Sequence, residues 1–362
     1  MVSTKTYTTI IGSGSYVPDN VIMNNSFLSS EFFEKSGERV KKENLEVIEK
    51  FLEITEIEER RYANPEHKAS DLAYFAAVEA IKSSSLDPEL LDYIIVAHNF
   101  GDVCSGSTAV DIVPTLAAKV KHKLGIKNPF TVAYDLPFGC PGWVQGIIQA
   151  DYFIKSGDSK FALVIGTETL SRVADPHDID SMIYSDGAGA VVLKGVDSET
   201  PIGIIAHKTR SDTEEHFNLL WIDKSNNPDL NDKNLYLKML GRRVYEYAIT
   251  KVPQLVKLTL EAANIDIKDI SKFLIHQANG KMDYVIAERT LKQYGITSPV
   301  PPEILPMNIS KIGNNSVATV PILLDMILRG QMENHSINVG DYIVFASVGA
   351  GMNINAIAYK WV

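Results

Sequence analysis

The sequence predicts an α/β protein with buried sheets, built from two similar halves. Short apolar runs (LDYIIVAHN, FALVIGTE, KFLIHQA, DYIVFASVG) alternate with stretches whose apolar residues recur at helical spacing. Strands covered on both faces lose their in–out alternation and read as continuous apolar runs of this kind. The pair FALVIGTE and DGAGAVVL is echoed by DYIVFASV and GAGMNINAI, which divides the chain into halves 1–200 and 201–362. The 362 residues, 45% apolar and 22% charged, are those of an ordinary globular chain able to bury a sizeable core.

Taken in order, YTTIIGSGSYVP is a strand ending in a glycine turn. VKKENLEVIEKFLEITEIEERRY is a charge-laced helix, and SDLAYFAAVEAIKSS is a helix with Ser70 or Asp71 as N-cap. LDYIIVAHN is a buried strand, VDIVPTLAAKVKHKLGI is helical after Pro114, and FTVAYDL is a strand leading into LPFGCPGWVQG. A helix then starts at Pro141, whose missing N–H costs nothing there. Val144, Ile147, Ile148 and Tyr152 mark its face and Gly157 its stop. The strands FALVIGTE and DGAGAVVLKG close the first half. The polar stretch 223–234 is a loop to which no chemistry is assigned. The second half holds a helix from Lys238 to about Asn264, the strand KFLIHQA and a helix from Met282. A helix through ATVPILLDMIL and the strands DYIVFASVG and NINAIAYKWV complete it.

Composition excludes some functions. A formal charge of −10 disfavours nucleic acid or an anionic membrane as the main partner. Two cysteines cannot form a disulfide framework and point to a reducing, cytoplasmic setting. Neither a signal peptide nor an 18-residue apolar span is expected. Gly12-Ser13-Gly14 and Gly187-Ala188-Gly189 read as backbone turns, because a dinucleotide fingerprint needs its glycine turn to enter a helix and these enter strands. His177 lies between Asp175 and Asp178, but no second cluster accompanies it, so no metal site is expected. Lys119, Lys121 and Lys123 read as a solvated helix face.

Cys140 sits where a strand turns into a helix. Free N–H groups and the positive dipole end favour thiolate there and lower the thiol pKa. Read alone, it is equally a small hydrophobe filling a gap. Cys104, in GDVCSGS, has no such setting and reads as structural. His276 leaves a short apolar strand in FLIHQANGKM, where a side chain can enter a cleft formed by loops. Asn314 follows Gly313 in KIGNNSVATVP. Each alone is as well explained by a satisfied histidine or a turn asparagine.

Together their order is informative. Cysteine at a strand–turn–helix, histidine in HQAN, asparagine in a GNNS turn and a closing Gly-Ala-Gly loop resemble the β-ketoacyl-ACP synthase III family of the thiolase superfamily. GSGSYVPDNVIMN, EERRYA, SDLAYFAAVEAI and DPHDIDSMIYSDGAGAVVL extend the resemblance over nearly the whole chain. It implies a thiolase-like fold, two similar βαβαβαββ halves in a layered α-β-α-β-α core, assembled as a homodimer. It also implies an acyltransferase that performs decarboxylative Claisen condensation of an acyl thioester with malonyl-ACP (ACP, acyl carrier protein) in fatty acid or related biosynthesis. By resemblance Cys140 accepts the acyl group, and His276 and Asn314 donate to the enolate left by decarboxylation. The backbone N–H groups of Cys140 and Ala350 form the oxyanion hole. No cofactor is implied, since substrates arrive as phosphopantetheine or coenzyme A thioesters.

Arg172 matches a family arginine near the nucleotide end of the substrate. Lys281 matches a basic position that meets the acidic carrier, and Arg289 lies two turns further along the helix. Val113 stands where a bulky aromatic commonly reaches the partner's acyl pocket, which implies room for medium or branched chains. The adenine clamp is replaced by Lys50 and Ile54, which counts against coenzyme A as acyl donor. The segment 25–49 is longer than usual and is expected to reshape the entrance, and Trp143 is expected beside the pantetheine tunnel. A thiolase would need a second cysteine after Cys140, and a hydroxymethylglutaryl synthase a glutamate before GCPG. The alternatives are a specialised enzyme joining two acyl thioesters in dialkylresorcinol or cyclohexanedione metabolism, a thioester-dependent acyltransferase, and a non-catalytic partner subunit.

Overall fold

The computed structural model describes residues 4–231 and 233–362. Its first sheet contains β1 (Lys5–Tyr16), β2 (Tyr93–His98), β3 (Val132–Pro137), β4 (Phe161–Thr169) and β5 (Asp186–Ser198), in the order β1-β5-β4-β2-β3. The second contains β6 (Gly203–Ser211), β7 (Ile270–Ile275), β8 (Tyr342–Gly349) and β9 (Asn353–Lys360), in the order β6-β9-β8-β7. Strands β2, β3 and β4 run parallel, as do β7 and β8, and the remaining pairs in both sheets are antiparallel.

Seven helices matter here: α1 (Asn44–Thr55), α2 (Ala69–Ser84), α3 (Leu116–Leu124), α4 (Gly142–Ser156), α5 (Gly241–Ala263), α6 (Gly280–Lys292) and α7 (Thr319–Leu328). Successive residues of one strand face opposite sides, and the cores divide accordingly. Ile94 and Val96 of β2 pack with α2 and α3, whereas Ile95 and Ala97 pack between the sheets with α4 and α7. In the second sheet Ile343 and Phe345 of β8 join that same central core. Val344 and Ala346 face α5 and α6. The result is five layers, α2/α3, sheet, α4/α7, sheet, α5/α6. Both faces of each sheet are covered, which is why its strands read as unbroken apolar runs.

Several expected boundaries move. The glutamate-rich helix stops at Thr55, with Glu56 in the left-handed region at φ 61°, and ERRY becomes a strand, Glu59–Tyr62. Lys68 is the N-cap of α2, and Asp71 accepts its backbone N–H at 2.7 Å. Lys238 lies in a strand, Tyr236–Met239, paired with Leu220–Asp223, and α5 begins at Gly241. Gly187 and Gly189 lie within β5. Trp143 is fully buried between the sheets, edge-on to Phe345 at 5.9 Å. The three lysines of α3 are engaged: Lys119 pairs with Asp102 and Asp111, Lys121 donates to the carbonyls of Asn128 and Thr131, and Lys123 pairs with Asp71. Cys104 is exposed and not a buried structural group.

The GSG segment is not a turn. Strand β1 runs through it, and the missing side chains let helix α2 lie directly on the strand. A Cβ at Gly14 would stand 2.3 Å from the Ala80 nitrogen and 2.5 Å from the Ala76 oxygen, both backbone atoms that cannot swing away. Gly14→Ala should therefore destabilise the fold by about 1–3 kcal/mol, read as a lower urea midpoint at unchanged slope.

Candidate active site

Cys140 reaches its position through a glycine-dependent turn and a glycine-dependent close approach. Gly139 takes φ 72°, and a Cβ at Gly349 would lie 2.6 Å from the Cys140 nitrogen. The end of β8 thus presses against the turn before α4, and the backbone N–H groups of Cys140 and Ala350 both face the Cys140 sulfur. Ser316 donates its hydroxyl to Sγ at 3.1 Å. The N–H of Gly142, at the helix start, goes instead to the Gly139 oxygen at 2.9 Å.

Each letter of HQAN has a separate task. His276 extends β7 by one bond, its N–H donating to the Ala346 oxygen at 2.9 Å, so its ring leaves at the strand end. Gln277 is fully buried: its amide donates to the Pro306 oxygen, and its own oxygen accepts from the N–H groups of Asn308 and Ile309. Ala278 lines the cavity. Asn279 caps α6, accepting from the Met282 N–H at 3.1 Å. The asparagine turn is pinned as firmly. Asn314 bridges Tyr184 through backbone bonds to Ile183 and Ser185, and its Oδ1 accepts the Ser316 N–H at 2.8 Å. That leaves the Nδ2 hydrogens of Asn314 free to donate. Ser316 itself sits at φ 51°, an uncommon conformation for a residue with a side chain.

Cys140, His276, Asn314 and Ala350 line one cavity of about 60 Å³, together with Asn99, Ser316, Tyr184 and a wall of Leu170, Leu220, Leu237, Met239 and Val348. The chamber is deeply buried, and its titration follows from that. Burial, with the Glu168 carboxyl adding to it, pushes the Cys140 thiol up to about 11 against the pull of Ser316 and the two amides. The lowering expected from the helix end is not realised, because burial outweighs it. Burial also brings His276 down to about 4, so the imidazole is neutral at ordinary pH.

The other expected binding residues are elsewhere. Arg172 donates to the backbone oxygens of Val103, Asn64 and His67, which makes it a brace and leaves it off the cavity wall. Lys281 is exposed, 4.0 Å from Glu53, and Arg289 donates to the Ile249 oxygen across to α5 at 3.2 Å. Val113 is 83% exposed beside exposed Val110 and Ile112, away from the Cys140 chamber of its own chain. Lys238 fills the Asp175–Asp178 cluster, bonded to Asp175 and to Asn226. Among the described residues no group of three His, Cys, Asp or Glu is placed to hold a metal ion.

A larger groove of about 690 Å³ adjoins the chamber and shares Met239, Val244, Ala278 and Met282 with it. Val40 and Val47 of the 25–49 segment line it, as do Lys50 and Ile54. Ser316, Asn99 and the cover strands around the 223–234 loop escaped sequence reading. Only the position of Ser316 two residues after Asn314 offered a signal.

Known proteins match this arrangement along its length. The family model for 3-oxoacyl-[acyl-carrier-protein] synthase III matches residues 134–213, and the model for its C-terminal part matches 260–361. The β-ketoacyl-[acyl-carrier-protein] synthase III of Prochlorococcus marinus (strain MIT 9215) is 31% identical over 358 residues, 97% of this chain and 96% of its own. That of Pectobacterium atrosepticum is 33% identical over 348 residues, 95% of this chain and 96% of its own. The chain belongs to the β-ketoacyl-ACP synthase III family. Membership makes it an acyl-transferring condensing enzyme that forms carbon–carbon bonds. The crystal structure of the Aquifex aeolicus VF5 synthase III superposes with a TM-score of 0.78 at 30% identity, covering 98% of this chain and all of that one. Xanthomonas campestris OleA, at 19% identity and a TM-score of 0.76 over 99% of both chains, shares the fold.

Two outcomes follow for these side chains. Iodoacetamide at pH 7.5 should label exposed Cys104 before Cys140, and Cys140 labelling should rise about tenfold per pH unit between pH 8 and 10 as the thiolate fraction grows. Peptide mass mapping reads both, and a plateau below pH 8 would show a thiolate already formed. Arg172→Ala should cost about 1–3 kcal/mol of stability, by unpairing three carbonyls, while leaving the KM for thioester substrates unchanged.

Proposed function

We propose that this enzyme condenses an acyl thioester with malonyl-ACP to give a β-ketoacyl-ACP, with Cys140, His276 and Asn314 as catalytic residues. The observation that carries this is the single chamber lined by all three together with Ala350. Cys140 Sγ attacks the acyl carbonyl, the oxyanion is held by the N–H groups of Cys140 and Ala350, and the pantetheine sulfur leaves as a thiol with the proton. The malonyl thioester then loses CO₂. The electrons of the broken bond move onto its thioester oxygen, which His276 and the Asn314 amide stabilise by donation. A histidine held neutral down to about pH 4 donates as an imidazole and does not surrender a proton to the enolate. The nucleophilic carbon then attacks the acyl-cysteine, and Cys140 leaves as a thiolate that takes up a proton from solvent to restore the thiol.

The outer groove supports carrier delivery. Lys42, Lys50 and Arg242 line it and Lys281 is exposed nearby on α6; these cations now pair with Glu46, Glu53 and Glu246, partners that the carboxylates of an acidic carrier would replace. Arg289 contributes less, being spent on Ile249. Exposed Val110, Ile112 and Val113 on one loop support a homodimer in which this loop reaches the partner's acyl pocket, where valine leaves room for medium or branched chains. The charge and the two free cysteines fit a cytoplasmic enzyme. A second reading, the joining of two longer acyl thioesters, draws on the size and apolar walls of the 690 Å³ groove.

Cys140→Ala should abolish acyl loading seen by intact mass. His276→Ala and Asn314→Ala should load normally and lose about 10²–10³-fold in malonyl decarboxylation. Offered acetyl, hexanoyl and octanoyl donors together, the enzyme should retain a medium chain. Loading of the alanine variant at residue 140 would sink the mechanism, and retention of acetyl alone would sink the pocket assignment.

A further inference from the structure

A chain of hydrogen bonds leaves the chamber behind Cys140. Ser316 Oγ donates to the sulfur at 3.1 Å and accepts from Asn99 Nδ2 at 2.8 Å. The second Asn99 Nδ2 hydrogen goes to Glu168 Oε1, which also accepts the Asn99 backbone N–H at 3.0 Å. Asn99 follows the end of β2, and Glu168 is the penultimate residue of the parallel neighbour β4, so the sheet sets their spacing. Glu168 is 2% exposed and Ser316 4% exposed.

The direction of the chain is fixed by its far end. Because Oε1 accepts a backbone N–H, which can only donate, it meets the Asn99 side chain as an acceptor too and selects its amide end. An amide N–H then occupies a lone pair of Ser316 Oγ. A hydroxyl that accepts there turns its own hydrogen to the remaining partner, the sulfur. With Asn99 reversed, its oxygen would take the serine hydrogen and leave Cys140 without that donor.

We propose that Glu168 is a positioning residue for the nucleophile, holding Asn99 so that Ser316 keeps its hydroxyl hydrogen on Cys140 Sγ and stabilises the thiolate that attacks. This deepens the reading of Cys140 as nucleophile and rests on it. The carboxyl touches no substrate in this account. Burial, with Asp186 adding to it, drives the Glu168 carboxyl well above the ordinary carboxylate range. A charged Glu168 would itself raise the Cys140 thiol, so the upward shift expected on its removal is the loss of the hydrogen-bond chain exceeding that relief. His276 and Tyr184 face the sulfur in the same cavity and are unchanged in the variants that test it.

The test is the pH dependence of Cys140 alkylation by iodoacetamide in the full-length protein carrying Cys104→Ser. Ser316→Ala, Asn99→Ala and Glu168→Ala should each shift the titration upward and slow labelling at pH 8 about tenfold, the effect of one charge-assisted hydrogen bond. Glu168→Gln, which retains an acceptor oxygen for both Asn99 donors, should stay within about twofold of the parent. The double variant Glu168→Ala, Ser316→Ala should be no slower than Ser316→Ala alone, since one acts through the other. An unchanged titration in Glu168→Ala, or losses that multiply in the double variant, would overturn the proposal. If Glu168→Ala does not fold, as a melting curve would reveal, an unchanged titration in Asn99→Ala overturns it equally. Acyl loading of the parent by intact mass is a separate readout: its failure would remove Cys140 as nucleophile while the titration still reports on the hydrogen-bond chain.

Discussion

The close approach of Gly349 to the backbone of Cys140 is the contact on which the site depends. It joins the end of a second-half strand to the start of a first-half helix with no room for even a methyl group between them. The approach places two amide hydrogens, from residues far apart in sequence, around one sulfur. Everything nearby is arranged to hold that geometry. Gln277 ties the histidine turn to 306–309, backbone bonds tie Asn314 to 183–185, and the Ser316 N–H settles which end of the Asn314 amide is free. The central layer of α4 and α7, packed against both sheets, makes the two halves one rigid support.

Burial is the second organising condition. It raises the Cys140 thiol, neutralises His276 and raises the Glu168 carboxyl. A neutral imidazole and a carboxamide are donors that hold a developing enolate without quenching it, which suits decarboxylative condensation. The corresponding disadvantage is a reluctant thiolate, and the donors around Sγ offset it in part. The helix dipole, which sequence alone made the main activating influence, is secondary: the first helical N–H is already bonded to Gly139.

The fold and the three central residues were legible because their signals are local. Strand runs, helix spacing, the Cys–Pro junction and the HQAN and GNNS turns each occupy a few adjacent positions. The errors arose where local pattern is ambiguous. Glycines at 12 and 14 read as a turn but permit a helix to lie on a strand, and the lysines of α3 read as solvated but each finds an oxygen. Arg172 and Arg289, expected to meet substrate or carrier, donate to backbone carbonyls, a structural task that the residue type alone does not reveal, because a guanidinium satisfies carbonyl oxygens as readily as it does phosphates.

Sequence by itself determined the α/β class through period, and, through motifs that resemble a known family, the layering, the family and the choice of Cys140, His276 and Asn314 as candidate catalytic residues. Tertiary structure alone decided the protonation of the site, the path from Cys140 through Ser316 and Asn99 to Glu168, and the walls of the chamber. Those depend on burial and on contacts between residues up to 217 positions apart, distances over which neither propensity nor spacing carries information.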